Sequence, residues 1–190
     1  MIIVIGAGPA GLAAAEAASR NGTDVALIDS GPRKGGQYWR HRTSVKGYKN
    51  KRADELFAKI ENASSITHIS EATVWSIERE NELFRVNYLQ GGQESSLTAE
   101  KLILATGAYD RTLPFPGWDL PGSMTPGGAQ ALLKGQGVLA GKKVVVAGTG
   151  PFLLPVATGL AESGAEIVGL LEANSPLRWL LSPHALLLNP

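Results

Sequence analysis

The chain is 190 residues long and contains no cysteine. Disulfides, thiolate metal sites and thiol nucleophiles are therefore excluded from these residues, although the compartment stays open. Charge of one sign is scarce too. Lys and Arg number 18 against 17 Asp and Glu, a net charge of +1, so neither nucleic acid nor an anionic membrane is the expected main partner. The three histidines, His41, His68 and His184, lie far apart without ligand spacing, and no metal site is expected. Residues 1–18 are apolar except for Glu16 but too short and too glycine-rich to cross a membrane. Residues 1–5 lack a basic flank and run at once into glycine, so no signal peptide is expected and the chain reads as soluble and cytoplasmic. The sequons at Asn21-Gly22-Thr23 and Asn62-Ala63-Ser64 then read as chance matches. No Ser/His/Asp set or paired-carboxylate motif is recognisable.

What is present starts at the first residue. Met1 to Ile5 read as a buried strand that runs directly into Gly6-Ala7-Gly8-Pro9-Ala10-Gly11, a G-x-G-x-x-G. A helical stretch follows (Leu12 to Arg20), then a strand from Asp24 to Ile28 ending on Asp29, 18 residues past Gly11. Each part has a physical role in dinucleotide binding. Gly6 makes the tight turn, Gly8 lets a pyrophosphate approach the backbone, and Gly11 lets the helix pack close on the sheet. Free N–H groups and the helix dipole at residues 9–12 favour the phosphates, and Asp29 stands where an acid accepts hydrogen bonds from a ribose diol.

Further along, residues 51–62 carry Ala53, Leu56, Phe57 and Ile60 on one helical face. Alternating segments at Thr73–Glu78, Leu83–Leu89 and Ser95–Thr98, broken at Asn81 and Gly91-Gly92, indicate a small antiparallel meander. Leu102 to Ala105 read as a buried parallel strand closing on Thr106-Gly107. Residues 113–128, dense in Pro and Gly, form a crossing segment. A short helix is expected over 129–135. A strand from Lys143 to Ala147 then runs into Gly148-Thr149-Gly150-Pro151, followed by a helix to about Ser163 and a strand from Glu166 to Leu171 ending on Glu172.

That second βαβ pattern repeats the first, with Gly148 standing 142 residues after Gly6. It also departs from it. Leu153 replaces the third glycine, which should hold the helix farther from the sheet, and Pro155 falls at about the fifth helical position, where its missing N–H begins to matter. Gly148, Gly150 and Glu172 still suit a nicotinamide dinucleotide, and the acid disfavours a 2′-phosphate. Ligand binding and a unit that only packs both remain open. Residues 33–52 hold eight of the 18 basic residues and no acid, interleaved with Tyr38, Trp39 and Tyr48. A solvated loop near a polyphosphate cofactor or an acidic partner accounts for them better than a nucleic-acid surface.

These residues together resemble the flavoprotein oxidoreductases with two dinucleotide-binding domains, a group that includes glutathione and thioredoxin reductases. The resemblance implies an α/β fold: a Rossmann-like FAD-binding domain, built of a parallel sheet and an antiparallel β-meander, followed by the start of a second, inserted Rossmann-like βαβ domain. The implied division is 1–112 for the FAD domain, 113–128 for the crossing segment and 129–190 for a partial NAD(P)-binding-like domain. Gly6, Gly8, Pro9, Ala10 and Gly11 match the FAD fingerprint together with Asp29 and Ser30 beside it. Gly35-Gly36-Gln37 matches the loop that wraps the flavin side, Val74 falls where the adenine is bracketed, and Ala105-Thr106-Gly107 matches the strand end that closes over FAD. Cofactor-binding roles for all these residues, and for Gly148, Gly150 and Glu172 at a degenerate NAD site, are what the resemblance implies.

A closer likeness runs from Gly107-Ala108-Tyr109-Asp110-Arg111 through Pro114-Phe115-Pro116-Gly117-Trp118 and Leu120-Pro121-Gly122 to Ala129-Gln130-Ala131-Leu132 and Gly148-Thr149-Gly150-Pro151. It is similar to the FAD subunits of opine oxidases and hydrogen cyanide synthase, and more distantly to the large subunit of heterotetrameric sarcosine oxidase. That implies oxidation of a carbon–nitrogen bond in a small amino acid or opine-type amine, together with partner subunits and further cofactors. The disulfide reductases match less well, because their cysteine pair is missing. Such proteins also return to the FAD domain after the second unit, and nothing after Glu172 supplies that return. The tail 175–190, with Leu177, Trp179, Leu180, Leu181 and Leu186 to Leu188, would be a large apolar patch unless covered. The chain is therefore expected to be the N-terminal portion of a longer polypeptide. Two competing readings stand beside the flavin enzyme: a binding or assembly module without its own chemistry, and a nicotinamide-dependent enzyme, such as a thioredoxin-reductase-like one lacking redox cysteines.

Overall fold

In the computed structural model, residues 1–40 and 51–175 are described. Two compact units can be distinguished, one ending at Ala108 and the other beginning at Tyr109.

The first unit is built on a four-stranded parallel sheet in the order β3-β2-β1-β7, with β1 Ile2–Ile5, β2 Val25–Ile28, β3 Ile66–Ile69 and β7 Lys101–Leu104. The β1 and β2 sequences, IIVI and VALI, are apolar at every position because both faces of these strands are covered. Helices α1 (Pro9–Ser19) and α2 (Lys51–Asn62) cover one face. Val4, Leu12, Ala15, Val25, Leu27, Ala53 and Ile60 meet there, with Leu56 and Phe57 packed against them. The other face carries Ile3, Ile5, Ala26 and Ile28 against Ala72, Val86, Tyr88 and Ala99 of an antiparallel meander. That meander is β4 Ala72–Glu80, β5 Leu83–Gln90 and β6 Gln93–Ala99. Burying each large aliphatic side chain fully contributes about 1.5–3 kcal/mol, so the two faces of β1 and β2 hold the unit together. The α/β reading and the meander are therefore as the sequence indicates, and His68 lies in β3.

One strand differs. The parallel pairing of β7, with β1, is as expected, but Leu104 is 63 % exposed rather than buried, because β7 is the outer strand of the sheet among the described residues. An all-apolar run signals two covered faces only for an inner strand.

In the second unit, β8 (Lys143–Gly148) and β9 (Glu166–Glu172) pair in parallel, with α4 (Leu153–Glu162) between them in sequence. Val146, Leu153, Val156, Ala157, Leu160 and Ala165 form its core. The strand pairing slips between Val144 and Val145, which leaves Val168 as an extra residue in β9. A short helix, α3 (Pro126–Ala131), continues into a π-helical turn over Leu132–Gln136. It begins three residues before the expected start, because Thr125 caps it by accepting from the Gly128 N–H at 3.2 Å and Pro126 suits the first helical position. Asp110 adds a second acceptor, its Oδ2 taking the Gly127 N–H at 2.6 Å. Among the described residues no helix is long and apolar enough to cross a membrane, and no cluster of three or more His, Asp or Glu could hold a metal ion.

Candidate functional site

The candidate crevice lies at the carboxyl ends of β1, β2 and β7, where the β1–α1 turn brings backbone into close contact. The Gly6 N–H donates to the Ile28 carbonyl at 2.7 Å, and the Ala105 N–H to the Ile5 carbonyl at 2.8 Å. A Cβ on Gly6 would stand 2.2 Å from the Ala105 carbonyl oxygen, and one on Gly11 would stand 1.7 Å from the Gly6 carbonyl oxygen. No side chain fits at either position, so the turn, α1 and the end of β7 lock together only with glycine. Gly8 is different. It caps α1 in ordinary extended backbone, and a Cβ there would meet nothing within 4 Å. Among the described residues the N–H groups of Gly8, Ala10 and Gly11 have no acceptor, while that of Leu12 starts the helix by donating to the Gly8 carbonyl at 2.9 Å. Open space above free donors at a helix N-terminus is a site for an anion.

Asp29 closes the crevice. Its Oδ2 accepts from the Ala7 N–H at 2.5 Å and its Oδ1 from the Gly31 N–H at 2.7 Å. A carboxylate offers about four acceptor positions, so it keeps capacity for a further donor while holding the turn. The backbone carries this on into the meander: the Ala72 N–H donates to the Asp29 carbonyl at 3.0 Å and the Glu71 N–H to the Gly31 carbonyl at 3.1 Å. Val74, two residues on, is half-buried against the second core face.

The loop after Asp29 wraps the turn. The Gly35 N–H donates to the Ala7 carbonyl at 2.7 Å, and a Cβ on Gly36 would come within 2.9 Å of the Gly8 Cα. Its anchor is Trp39, which is 7 % exposed, belongs to the first core and meets Phe57 edge to face at 5.9 Å. Sequence pattern alone places Trp39 on a solvated basic loop. The correction follows from α2, which presents Phe57 to it across the sheet face. The rest of the basic stretch from His41 to Asn50 lies outside the described residues, as does the tail from Pro176, with His184.

The structure thus brings Gly6, Gly8, Pro9, Ala10, Gly11, Asp29, Gly36, Ala105 and Thr106 to one crevice. Ser30, Gln37 and Gly107 are exposed beside it in the chain, and Val74 is joined to it through Ala72. Next to the loop a cavity of about 250 Å³ is lined by Pro32, Arg33, Lys34, Phe57, Glu61 and His68. Lys34 pairs with Glu61 at 2.8 Å there. Burial, and then the Lys34 charge, push the His68 imidazole below its ordinary value against the opposing pull of Asp29.

The second unit repeats the plan with changed details. Glu172 Oε2 accepts from the Gly150 N–H at 2.9 Å and Oε1 from the Asn174 N–H at 2.8 Å, while Asn174 Nδ2 donates to Thr149 Oγ1. These donors, that of Asn174 first, hold the Glu172 carboxyl below the usual glutamate range against the effect of burial. Helix α4 starts at Leu153, so Pro155 is its third residue rather than about its fifth. An N–H is not used at that position, and the expected penalty does not arise.

A parallel sheet with a glycine turn, an unblocked helix N-terminus and an acid at the end of the second strand is the plan of a dinucleotide-binding protein. Residues 1–184 match the pyridine nucleotide-disulphide oxidoreductase family, and the chain belongs to it. An opine oxidase subunit from Agrobacterium tumefaciens (strain Ach5) is 37 % identical over 97 % of this chain and 41 % of its own length. Hydrogen cyanide synthase subunit HcnB of Pseudomonas protegens is 36 % identical over 90 % of this chain and 38 % of its own length. The chain thus spans about two fifths of these curated relatives. Among solved structures, L-proline dehydrogenase from P. horikoshii superposes with a TM-score of 0.71 at 26 % identity, over 90 % of this chain and 34 % of that one.

Proposed function

We propose that this chain is the FAD-holding portion of an oxidoreductase subunit that oxidises a carbon–nitrogen bond of a small amino acid or opine-type amine together with partner subunits. One observation carries the flavin site: the open backbone at Gly8 beside the free N–H groups of Ala10 and Gly11. A diphosphate would lie on Gly8, Pro9, Ala10 and Gly11, and the adenosine ribose on Asp29 and Ser30 with the adenine toward Val74. The flavin end would reach Gly36, Gln37, Ala105, Thr106 and Gly107. The residues fit this cofactor, because only glycine leaves room where the phosphate approaches and because Asp29 keeps acceptor capacity.

When bound, the isoalloxazine supplies the two-electron acceptor for amine oxidation, and the protein supplies position and electrostatics. The chain's own contribution is structural. Gly6 and Gly11 fix the turn, Asp29 clamps it, and Trp39 holds the covering loop against the core. No acid or base among these residues is assigned to the reaction. The substrate class and the partner subunits rest on likeness to subunits of opine oxidase and hydrogen cyanide synthase, and to a proline dehydrogenase.

The test is the visible spectrum of the purified protein after incubation with FAD and gel filtration. Retained flavin bands near about 370 and 450 nm, lost in Gly8→Val, support the reading. Equal FAD retention in that variant overturns the placement. A protein that takes up NAD but no flavin is a nicotinamide enzyme instead, and one that binds neither is an assembly module.

A further inference from the structure

We infer that the second βαβ crevice, formed by Gly148 to Leu153 with Glu172, binds no adenine dinucleotide and serves as a packing unit, so that each chain holds a single dinucleotide. The count of one dinucleotide per chain rests on the proposed flavin site, whereas the misfit of the second crevice is read from residues of the second unit. The family's pyridine nucleotide would belong in this crevice, and the residues present do not fit it.

Three features decide this. The first is where the acid's hydrogen bond falls. In the first crevice Asp29 takes the Ala7 N–H, one residue past Gly6, and leaves that of Gly8 free. In the second, the bulge at Val168 absorbs the extra residue and Glu172 stands opposite Gly148, as Asp29 stands at the level of Gly6. The longer glutamate side chain, however, carries the carboxylate one position further along the turn, onto the Gly150 N–H. The donor equivalent to that of Gly8 is consumed, and a carboxylate charge stands where a diphosphate would need to come.

The second feature is the helix start. Leu153 occupies the place of Gly11, where contact with the turn leaves no room for a Cβ. Here Leu153 is buried in the unit's own core, with its Cδ2 3.2 Å from the position a Cβ on Gly148 would take. The chain therefore makes an additional turn, and α4 begins at Leu153, whereas α1 begins at Pro9, the equivalent of Pro151.

The third feature is the state of the remaining donors. The Leu153 N–H donates to the Gly150 carbonyl at 3.3 Å and that of Leu154 to the Pro151 carbonyl at 3.2 Å. Proline at 151 and 155 offers no N–H. Of the three donors free in the first crevice, at Gly8, Ala10 and Gly11, only the equivalent at Phe152 stays free in the second. With the Thr149 N–H, which the acid no longer takes, two separated donors face a carboxylate in place of the three at the first turn, a poor cradle for a diphosphate.

The experiment is a titration of the full-length, FAD-loaded protein with NADH and NADPH, followed by nicotinamide fluorescence and by thermal melting. No saturable signal and no rise in melting temperature up to about 1 mM is the expected result. Saturable binding of either nucleotide below that concentration, undiminished by excess FAD, overturns the inference. Binding that excess FAD abolishes would lie in the first crevice and supports it.

Discussion

Replacing Gly11 by alanine tests the close packing at the crevice, and the structure gives its magnitude. The new Cβ would stand 1.7 Å from the Gly6 carbonyl oxygen, against a practical limit of 3.0 Å, so α1 and the turn would have to part by about 1.3 Å. The obstacle is backbone and cannot rotate away. Overpacking of this kind costs about 1–3 kcal/mol, and the rigid contact puts the cost at or above the upper figure. Alanine's better helix propensity returns about 1 kcal/mol. The net loss is about 2 kcal/mol, or a fall in Tm of about 4–8 °C for a chain of this size. Gly8→Ala is the matched control, because Gly8 has ordinary extended backbone and a Cβ there meets nothing within 4 Å. Its apo Tm should equal that of the unsubstituted protein, while its FAD affinity falls about 10- to 100-fold, equivalent to about 1.4–2.8 kcal/mol. Thermal melting by circular dichroism and titration of FAD fluorescence read the two effects separately. A Gly11→Ala protein that melts unchanged, or a Gly8→Ala protein that binds FAD unchanged, would refute the reasoning.

Trp39→Ala removes a buried ring from the first core and its edge-to-face contact with Phe57, and should cost about 3–5 kcal/mol by denaturant melting. Its FAD affinity should fall as well, because the covering loop loses its anchor. The folded Glu172 carboxyl titrates below the ordinary glutamate value of 4.5, so its stabilisation is present above that pH and is lost as the pH falls through the folded value. Stability measured over about pH 3–6 should therefore fall less steeply toward acid in Glu172→Gln than in the unsubstituted protein. Asp110→Ala removes the acceptor of the Gly127 N–H in the first turn of α3 and should lower stability by about 1 kcal/mol in the same melts.

Much of the fold was legible because short-range patterns carry it. The runs at Ile2–Ile5 and Val25–Ile28, the alternation in the meander and the helical face of Ala53, Leu56, Phe57 and Ile60 each report local geometry and burial together. The glycines of the first turn were legible for the same reason, since their roles follow from spacing along six residues.

What escaped depends on contacts distant in sequence. Trp39 looks like a loop aromatic until α2 is placed, and Leu104 looks buried until the sheet order makes β7 an outer strand. The start of α4 is set by Leu153 packing over Gly148, which is why Pro155 sits nearer the helix start than its spacing suggests. The bond from the Gly150 N–H to Glu172 was equally hidden, although it decides which donors remain free. The early start of α3 was available in the Thr125-Pro126 pair, a cap followed by a first-turn proline.

The most direct measurement is a crystal structure of the full-length protein grown with FAD. The diphosphate should lie over the N-terminus of α1, on the N–H groups of Gly8, Ala10 and Gly11, with the adenosine ribose on Asp29. A diphosphate found over Gly150 to Leu153, or away from both turns, would contradict the account.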